Sequence, residues 1–282
     1  MADDRKPMPG LGAGWPMQRL TADLLVLLAL FAWWLTSLKL PERVFPSPLA
    51  VTKTLASFPF EADFWMHMAM SGLRVMLAVV LATVIGSVVA LLPRYFDWTA
   101  SIVDDVLVVF FSAFPGIVWG ILGAIWFGFT FHATVIVEIL IILPYSMVNV
   151  SEGIKTIGKE EVEMGRSFTR NRLAVFWRVE LPLLRPFIVA GARISYGVCW
   201  KVALVAELFG AQTGLGYVMQ MAQELGQVDR IIAVCLVIVL IVGLSEWLIF
   251  RPLTRRFAIA PAATKQAAGN ALASGNLAAT PS

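Results

Sequence analysis

The chain has 282 residues, 59% hydrophobic and only 15% charged, with a formal charge of +3 and a mean hydropathy of +0.78. Soluble domains carry about 25% charged residues, so the composition excludes an ordinary water-soluble enzyme or binding module and points to a single membrane domain. Two cysteines, Cys199 and Cys235, lie in apolar runs, and the two histidines, His67 and His132, lie far from them in sequence; neither a disulfide framework nor a metal site is indicated, and both thiols are expected as buried small hydrophobes.

Residues 1–20, "MADDRKPMPGLGAGWPMQRL", form a polar, Gly/Pro-rich tail. The apolar run after it holds Trp33-Trp34 without a small-x-small cleavage site, so it reads as an uncleaved first membrane helix. A bilayer core about 30 Å thick takes about 20 apolar residues in a helix. Six segments qualify: Ala22–Leu40, Ser71–Leu92, Val106–Phe129, Ala133–Val150, Pro186–Leu208 and Ile231–Phe250. The second is entered by Arg74 and closed by Pro93-Arg94. In the third, Pro115 and Gly116 are expected to interrupt or kink the helix, because proline removes one backbone hydrogen bond and crowds the preceding turn. Its stripe of Phe110, Phe111, Phe114, Trp119 and Trp126 reads as packing, and Gly116, Gly120 and Gly123 suit close helix approach. No run alternates as a barrel strand would, so the fold expected is an all-α membrane protein with a transmembrane domain over residues 21–258. Residues 259–282, Ala/Gly/Ser-rich, read as a disordered tail.

Charge asymmetry sets the direction. With the N-terminus inside, the inner segments hold 15 of the 22 Lys and Arg residues and the outer segments 4. The positive-inside rule then places both termini in the cytoplasm, together with the long connection of residues 151–185.

That connection is longer than the 2–8 residues typical between neighbouring helices. Met164, Phe168, Leu173, Phe176, Trp177, Val179 and Leu181 recur at helical intervals. "TRNR" separates two helical pieces, with Asn171 as a left-handed turn residue, and Pro182 and Pro186 mark the exit into the fifth span. Periodicity alone fits equally an amphipathic helix lying on lipid headgroups and a helix offered to the groove of a soluble partner.

The spacing Glu163-Met164-Gly165-x3-Thr169-x9-Val179-Glu180-Leu181-Pro182 resembles the EAA-x3-G-x9-I-x-L-P loop of ABC importer permeases. "LPERVFPSPLAV" and "ARISYGVCWKVALVAELFGAQTGLGYVM" resemble the nitrate/sulfonate/taurine-type branch of that family, and the likeness covers about residues 20–257. It implies a type I importer-like permease in a bacterial inner membrane, working as a homodimer. Two copies of an ATP-binding subunit, which alone would hold ATP and Mg, would dock on the 151–185 loop. A periplasmic binding protein would deliver a small anionic solute for alternating-access import. The resemblance assigns ATPase coupling to Glu163, Met164, Gly165, Thr169, Arg170, Asn171, Arg172, Leu181 and Pro182. Thr169 stands where the family has glycine. A β-branched residue tolerates positive φ poorly, so the turn is expected to shift towards Arg170-Asn171, or Thr169 to stay helical. The chain has no phosphate-binding G-x4-G-K-[ST] loop of its own, no cofactor or nucleic-acid partner is indicated, and no residue set suits covalent catalysis. A secondary transporter or channel subunit without an ATPase partner is the alternative, and it leaves the docking loop unexplained.

Ionisable residues inside spans call for a functional role. Glu138 lies in the fourth span and Arg193, Lys201 and Glu207 in the fifth. Arg193, near the inner end, is expected to snorkel. Lys201, fifteen residues past Pro186, either pairs with Glu138 or faces the solute pathway, where Tyr196, Trp200 and Glu207 are further candidates. Gly210, Gly214 and Gly216 give the segment after Glu207 the freedom a re-entrant or gating element needs, and Pro115-Gly116 form a second candidate hinge.

Overall fold

The computed structural model describes residues 15–157, 159–169 and 171–257. The N-terminal residues before Trp15, the C-terminal tail 259–282 and Arg170 therefore lie outside the described residues. All regular structure among those described is helical.

Each expected span falls on helical chain, the third on two helices rather than one. α1 (Trp15–Ser37) is followed by a turn. A short helix not anticipated from hydropathy, α2 (Pro48–Ser57), begins with Pro48 in its first turn, and Ser47 caps it by accepting from the Ala50 N–H. α3 (Ala62–Tyr95) is 34 residues long, with Pro93 in its last turn. A π-helical stretch, Ser101–Leu107, leads into α4 (Val108–Ala113), and α5 (Gly116–Phe127) follows. Phe114, placed before a proline, is extended at ψ 124. The expected interruption at Pro115-Gly116 is a bend of 84° between the two halves.

α6 (Phe131–Thr156) is capped by Thr130, α7 spans Lys159–Phe168 and α8 Arg172–Val175. A π-helical turn, Phe176–Glu180, joins α8 to α9 (Leu181–Gly210) without a break. Pro182 and Pro186 thus do not mark an exit from irregular chain. They lie within a helical run of 38 residues, Arg172–Phe209. α10 (Leu215–Glu224) and α11 (Val228–Ser245) follow, and a further π-helical turn, Glu246–Phe250, carries α11 into α12 (Arg251–Phe257).

Among the described residues four helices are long and apolar enough to cross a bilayer, and the bent α4–α5 pair makes a fifth candidate; the apolar part of α1, Asp23–Ser37, is shorter. α6 is the centre of the bundle, packed on α3 at one side and α9 at the other. Small residues make those crossings close. A Cβ on Gly86 of α3 would stand 2.9 Å from the Ser146 Cβ, and one on Gly191 of α9 would stand 3.3 Å from the Ser146 Cα. The Ser146 and Ser195 hydroxyls hydrogen-bond across the second crossing at 3.1 Å. Around them Val75, Ala78, Ala82, Ile142, Cys199, Trp200, Leu215 and Val234 form the main core. By contrast α1, one face of α3 and much of α11 expose leucine, valine and isoleucine along their length, as expected where the neighbour is lipid or another membrane helix.

Candidate functional site

Three groups of residues could carry function. The first is the segment α7–α8. Gly165 is buried where α7 meets the next helix: an added Cβ would lie 3.1 Å from Val179 and 3.3 Å from Val175. That close approach is what a small residue here allows. The neighbours Glu163 and Met164 are exposed, as are Leu173 and Trp177, so a row of large apolar side chains faces away from the bundle, with Met164 at 61%, Leu173 at 65% and Trp177 at 59% exposure.

α7 ends at Phe168, so Thr169 is outside the helix, and its hydroxyl oxygen accepts from the Asn171 N–H at 3.3 Å. Asn171 is not left-handed. It is extended at φ −77 and caps α8, its Oδ1 accepting from the N–H groups of Leu173 and Ala174. An Asx-type cap thus starts α8, with Asn171 at negative φ. Arg172 opens α8, and Leu181 and Pro182 form the first turn of α9.

The second group surrounds the 84° bend. A cavity of about 580 Å³ is lined by Phe111, Ser112, Phe114, Pro115, Gly116, Ile141, Pro144, Tyr145, Asn149 and Ile194, among others. Phe110, Phe111, Phe114 and Trp119 pack ring against ring beside it, with Phe114 and Trp119 centroids 4.6 Å apart. Trp126 stands apart from this cluster at 60% exposure. Ile194 brings α9 to the cavity, and Lys201, seven residues on, lies on the same face of that helix. Lys201 is exposed, and among the described residues it makes no ion pair. It does not meet Glu138. That side chain is fully buried, where Oε2 accepts from the Cys199 thiol at 3.7 Å and Oε1 has no partner. Tyr196 and Trp200 are buried too, Tyr196 bonded to the Ser245 hydroxyl at 2.8 Å. Both sit on the core side of α9, rotated away from Lys201. Arg193 does not snorkel free but pairs with Glu246 on the π-helical turn after α11. Of the thiols, Cys199 is buried as expected, whereas Cys235 lies exposed on the apolar outer side of α11.

The third group is a buried polar hub that hydropathy did not reveal. Glu207 is wholly buried, its carboxylate receiving Arg74 Nη1 at 2.7 Å, the Ser71 hydroxyl at 2.8 and 2.7 Å and the Gly216 N–H at 2.9 Å. Arg74 also donates to the Thr213 carbonyl at 2.6 Å and hydroxyl at 2.7 Å, while Phe131 covers its guanidinium at 5.3 Å. Ser71 accepts from the Leu215 N–H, and His67 Nδ1 from the Gly214 N–H.

The connection between α9 and α10 is thereby tied to α3. Gly214 takes φ +120, and a Cβ on Gly216 would stand 2.6 Å from both the Glu207 Cβ and the Leu204 carbonyl oxygen. The glycines serve close packing of this connection against Glu207, and Gly210 is simply the last helical residue. Arg74 was the signal available in the sequence. A lone arginine inside an apolar span requires a buried partner, and Glu207 is the carboxylate that reaches it.

Comparison with known proteins now bears on this arrangement. The family model described as "Binding-protein-dependent transport system inner membrane component" matches residues 82–258. The chain belongs to that family. The taurine transport system permease protein TauC of Escherichia coli (strain K12) is 30% identical over 251 residues, covering 86% of this chain and 90% of the relative. SsuC of the same organism, a permease named for aliphatic sulfonates, is 27% identical over 73% of this chain and 78% of its own length. Among solved structures, the MetNI methionine ABC transporter in inward-facing conformations aligns with a TM-score of 0.56 at 17% identity, over 69% of this chain and 94% of that one. The last likeness is one of fold, an all-helical ABC importer permease. Family membership makes this chain an inner-membrane transport component and not an enzyme.

Proposed function

We propose that the chain is the membrane-spanning subunit of an ATP-driven importer for a small organic anion of the sulfonate or taurine class. The observation that carries the anion is Lys201. It lies nine residues before the end of α9, about 14 Å along the helix axis at 1.5 Å per residue and so near the middle of a bilayer core about 30 Å thick. An exposed, unneutralised cation at that depth is stable only against water or an anion. It shares a face of α9 with Ile194, which lines the cavity at the Pro115 bend about 10 Å along the helix axis, and the relatives named for taurine and sulfonates agree with a cargo that carries a sulfonate group.

Two copies of the chain, each with residues 21–258 as a six-span domain, would enclose the pathway between such faces, with both termini in the cytoplasm. Residues 151–185 would dock two copies of a separate ATPase subunit, which holds ATP and Mg. The uncovered Met164, Leu173 and Trp177 suit a groove on that partner. Since α8 runs into α9 as one helix, closure of the ATPase would move the helix that carries Lys201, producing alternating access. A periplasmic binding protein would supply the solute from the opposite side.

The test is Lys201→Met. Assembly should remain normal, with uptake of a sulfonate into vesicles falling at least about tenfold, the loss of roughly one charge-assisted contact. Unchanged uptake would exclude Lys201 from the pathway. Copurification of an ATPase subunit that survives replacement of both Leu173 and Trp177 by aspartate would exclude the docking role of α8.

A further inference from the structure

A small pocket lies where the end of α3 meets α7 and α8. It is lined by Arg94, Tyr95, Arg166, Arg172, Val175 and Glu180 and has a volume of about 100 Å³, a few water molecules at about 30 Å³ each. Glu180, 5% exposed, receives Arg94 Nε at 3.2 Å and Arg94 Nη2 at 3.5 Å, and the Tyr95 hydroxyl at 3.2 Å. Its two oxygens are thus both taken by residues of α3. Arg166 and Arg172 also line the pocket, and among the described residues neither has an acidic partner. Three guanidinium groups face one carboxylate, an excess of two positive charges around a space too small for a nucleotide or a peptide side chain with its backbone.

From this geometry we infer a binding site for one small tetrahedral oxyanion, of sulfate, phosphate or sulfonate chemistry. Planar guanidinium donors from three elements match the several acceptor oxygens such an ion presents. The Arg94–Glu180 pair forms the floor of the site, and Arg166 and Arg172 supply the unspent donors. Since α3, α7 and α8 each contribute an arginine, a bound anion ties them together and resists their separation. That consequence makes the pocket a brake on transport by anion accumulated on the side of α7 and α8, and it rests on the coupling role proposed above. The binding itself does not. An oxyanion could come free from solution or as the phosphate of an acidic lipid headgroup, and the chemistry recognised is the same.

The experiment titrates sodium sulfate, against sodium chloride at matched ionic strength, into the full chain in phosphatidylcholine nanodiscs and reads heat by calorimetry. One saturable sulfate site is expected. Arg166→Gln with Arg172→Gln should weaken it about tenfold or more, as charge-assisted donors are lost. Glu180→Gln should bind sulfate more tightly, because the one acidic side chain among the described lining residues is neutralised. A structural role for Glu180 alone predicts the reverse, and weaker binding by that variant overturns the inference. So does an unsaturable response, or one that Lys201→Met abolishes, which would place the ion in the transport pathway. Saturable binding that vanishes in discs containing phosphatidylglycerol, with the same arginine dependence, identifies the headgroup as the natural occupant.

Discussion

The two ends of α9 are held by acidic residues in opposite ways. At one end Glu207 is wholly enclosed, and its carboxylate is bound by Arg74, Ser71 and the backbone of Gly216. At the other, Glu180 meets Arg94, itself 21% exposed, at the edge of an open pocket. Desolvated and hydrogen-bonded through both carboxylate oxygens of Glu207, the first contact ties α3, α9 and the start of α10 together. In the second the carboxylate is nearly as buried, but its partner Arg94 is part-exposed at the pocket, so this joint is the less enclosed of the two. One continuous helical run, Arg172–Phe209, thus carries an enclosed joint near one end and a more open one near the other.

The enclosed joint depends most on Arg74. Arg74→Ala leaves Glu207 a buried unpaired charge, and the loss should be about 3–5 kcal/mol. Yield and thermal melting of the detergent-purified chain measure it, and a variant as stable as the parent would show that the hub is not a fixed joint. A smaller loss, about 1–3 kcal/mol, is expected for Gly214→Ala, which must hold φ +120 with a side chain. The same melt reads it. At the loose end of the scale is Arg193–Glu246, with side chains 47% and 40% exposed. A double-mutant cycle with Arg193→Gln and Glu246→Gln should give only about 0–1 kcal/mol. A larger coupling would mean that lipid or a second copy shields the pair from water.

Hydropathy and charge made the spans readable because each depends on local composition, and the Pro115 break was readable because proline acts on its own turn. The packing of Gly165 against Val175 and Val179 was not legible, since the sequence marked Gly165 only through its place in the loop pattern. The hub was not readable either. Arg74 and Glu207 are 133 residues apart, and composition does not give the angular position of a side chain around its helix. For the same reason Glu138 and Lys201, two opposite charges in neighbouring spans, suggested a pair although they point to different sides of the bundle. The cap by Asn171 escaped because the family pattern drew attention to a glycine at Thr169, while a side-chain carbonyl achieves the turn by another route.

The unbroken run from Arg172 to Phe209 has a mechanical meaning. Its 38 residues trace about 57 Å of helix axis at 1.5 Å per residue, with the proposed docking surface at one tip and the Glu207 joint near the other. A strut delivers a push along its axis without loss and turns a tilt at one tip into an arc at the far one. A tilt of about 5° over that length sweeps about 5 Å, close to one helical turn of 5.4 Å. Lys201, three-quarters of the way along, would travel most of that arc.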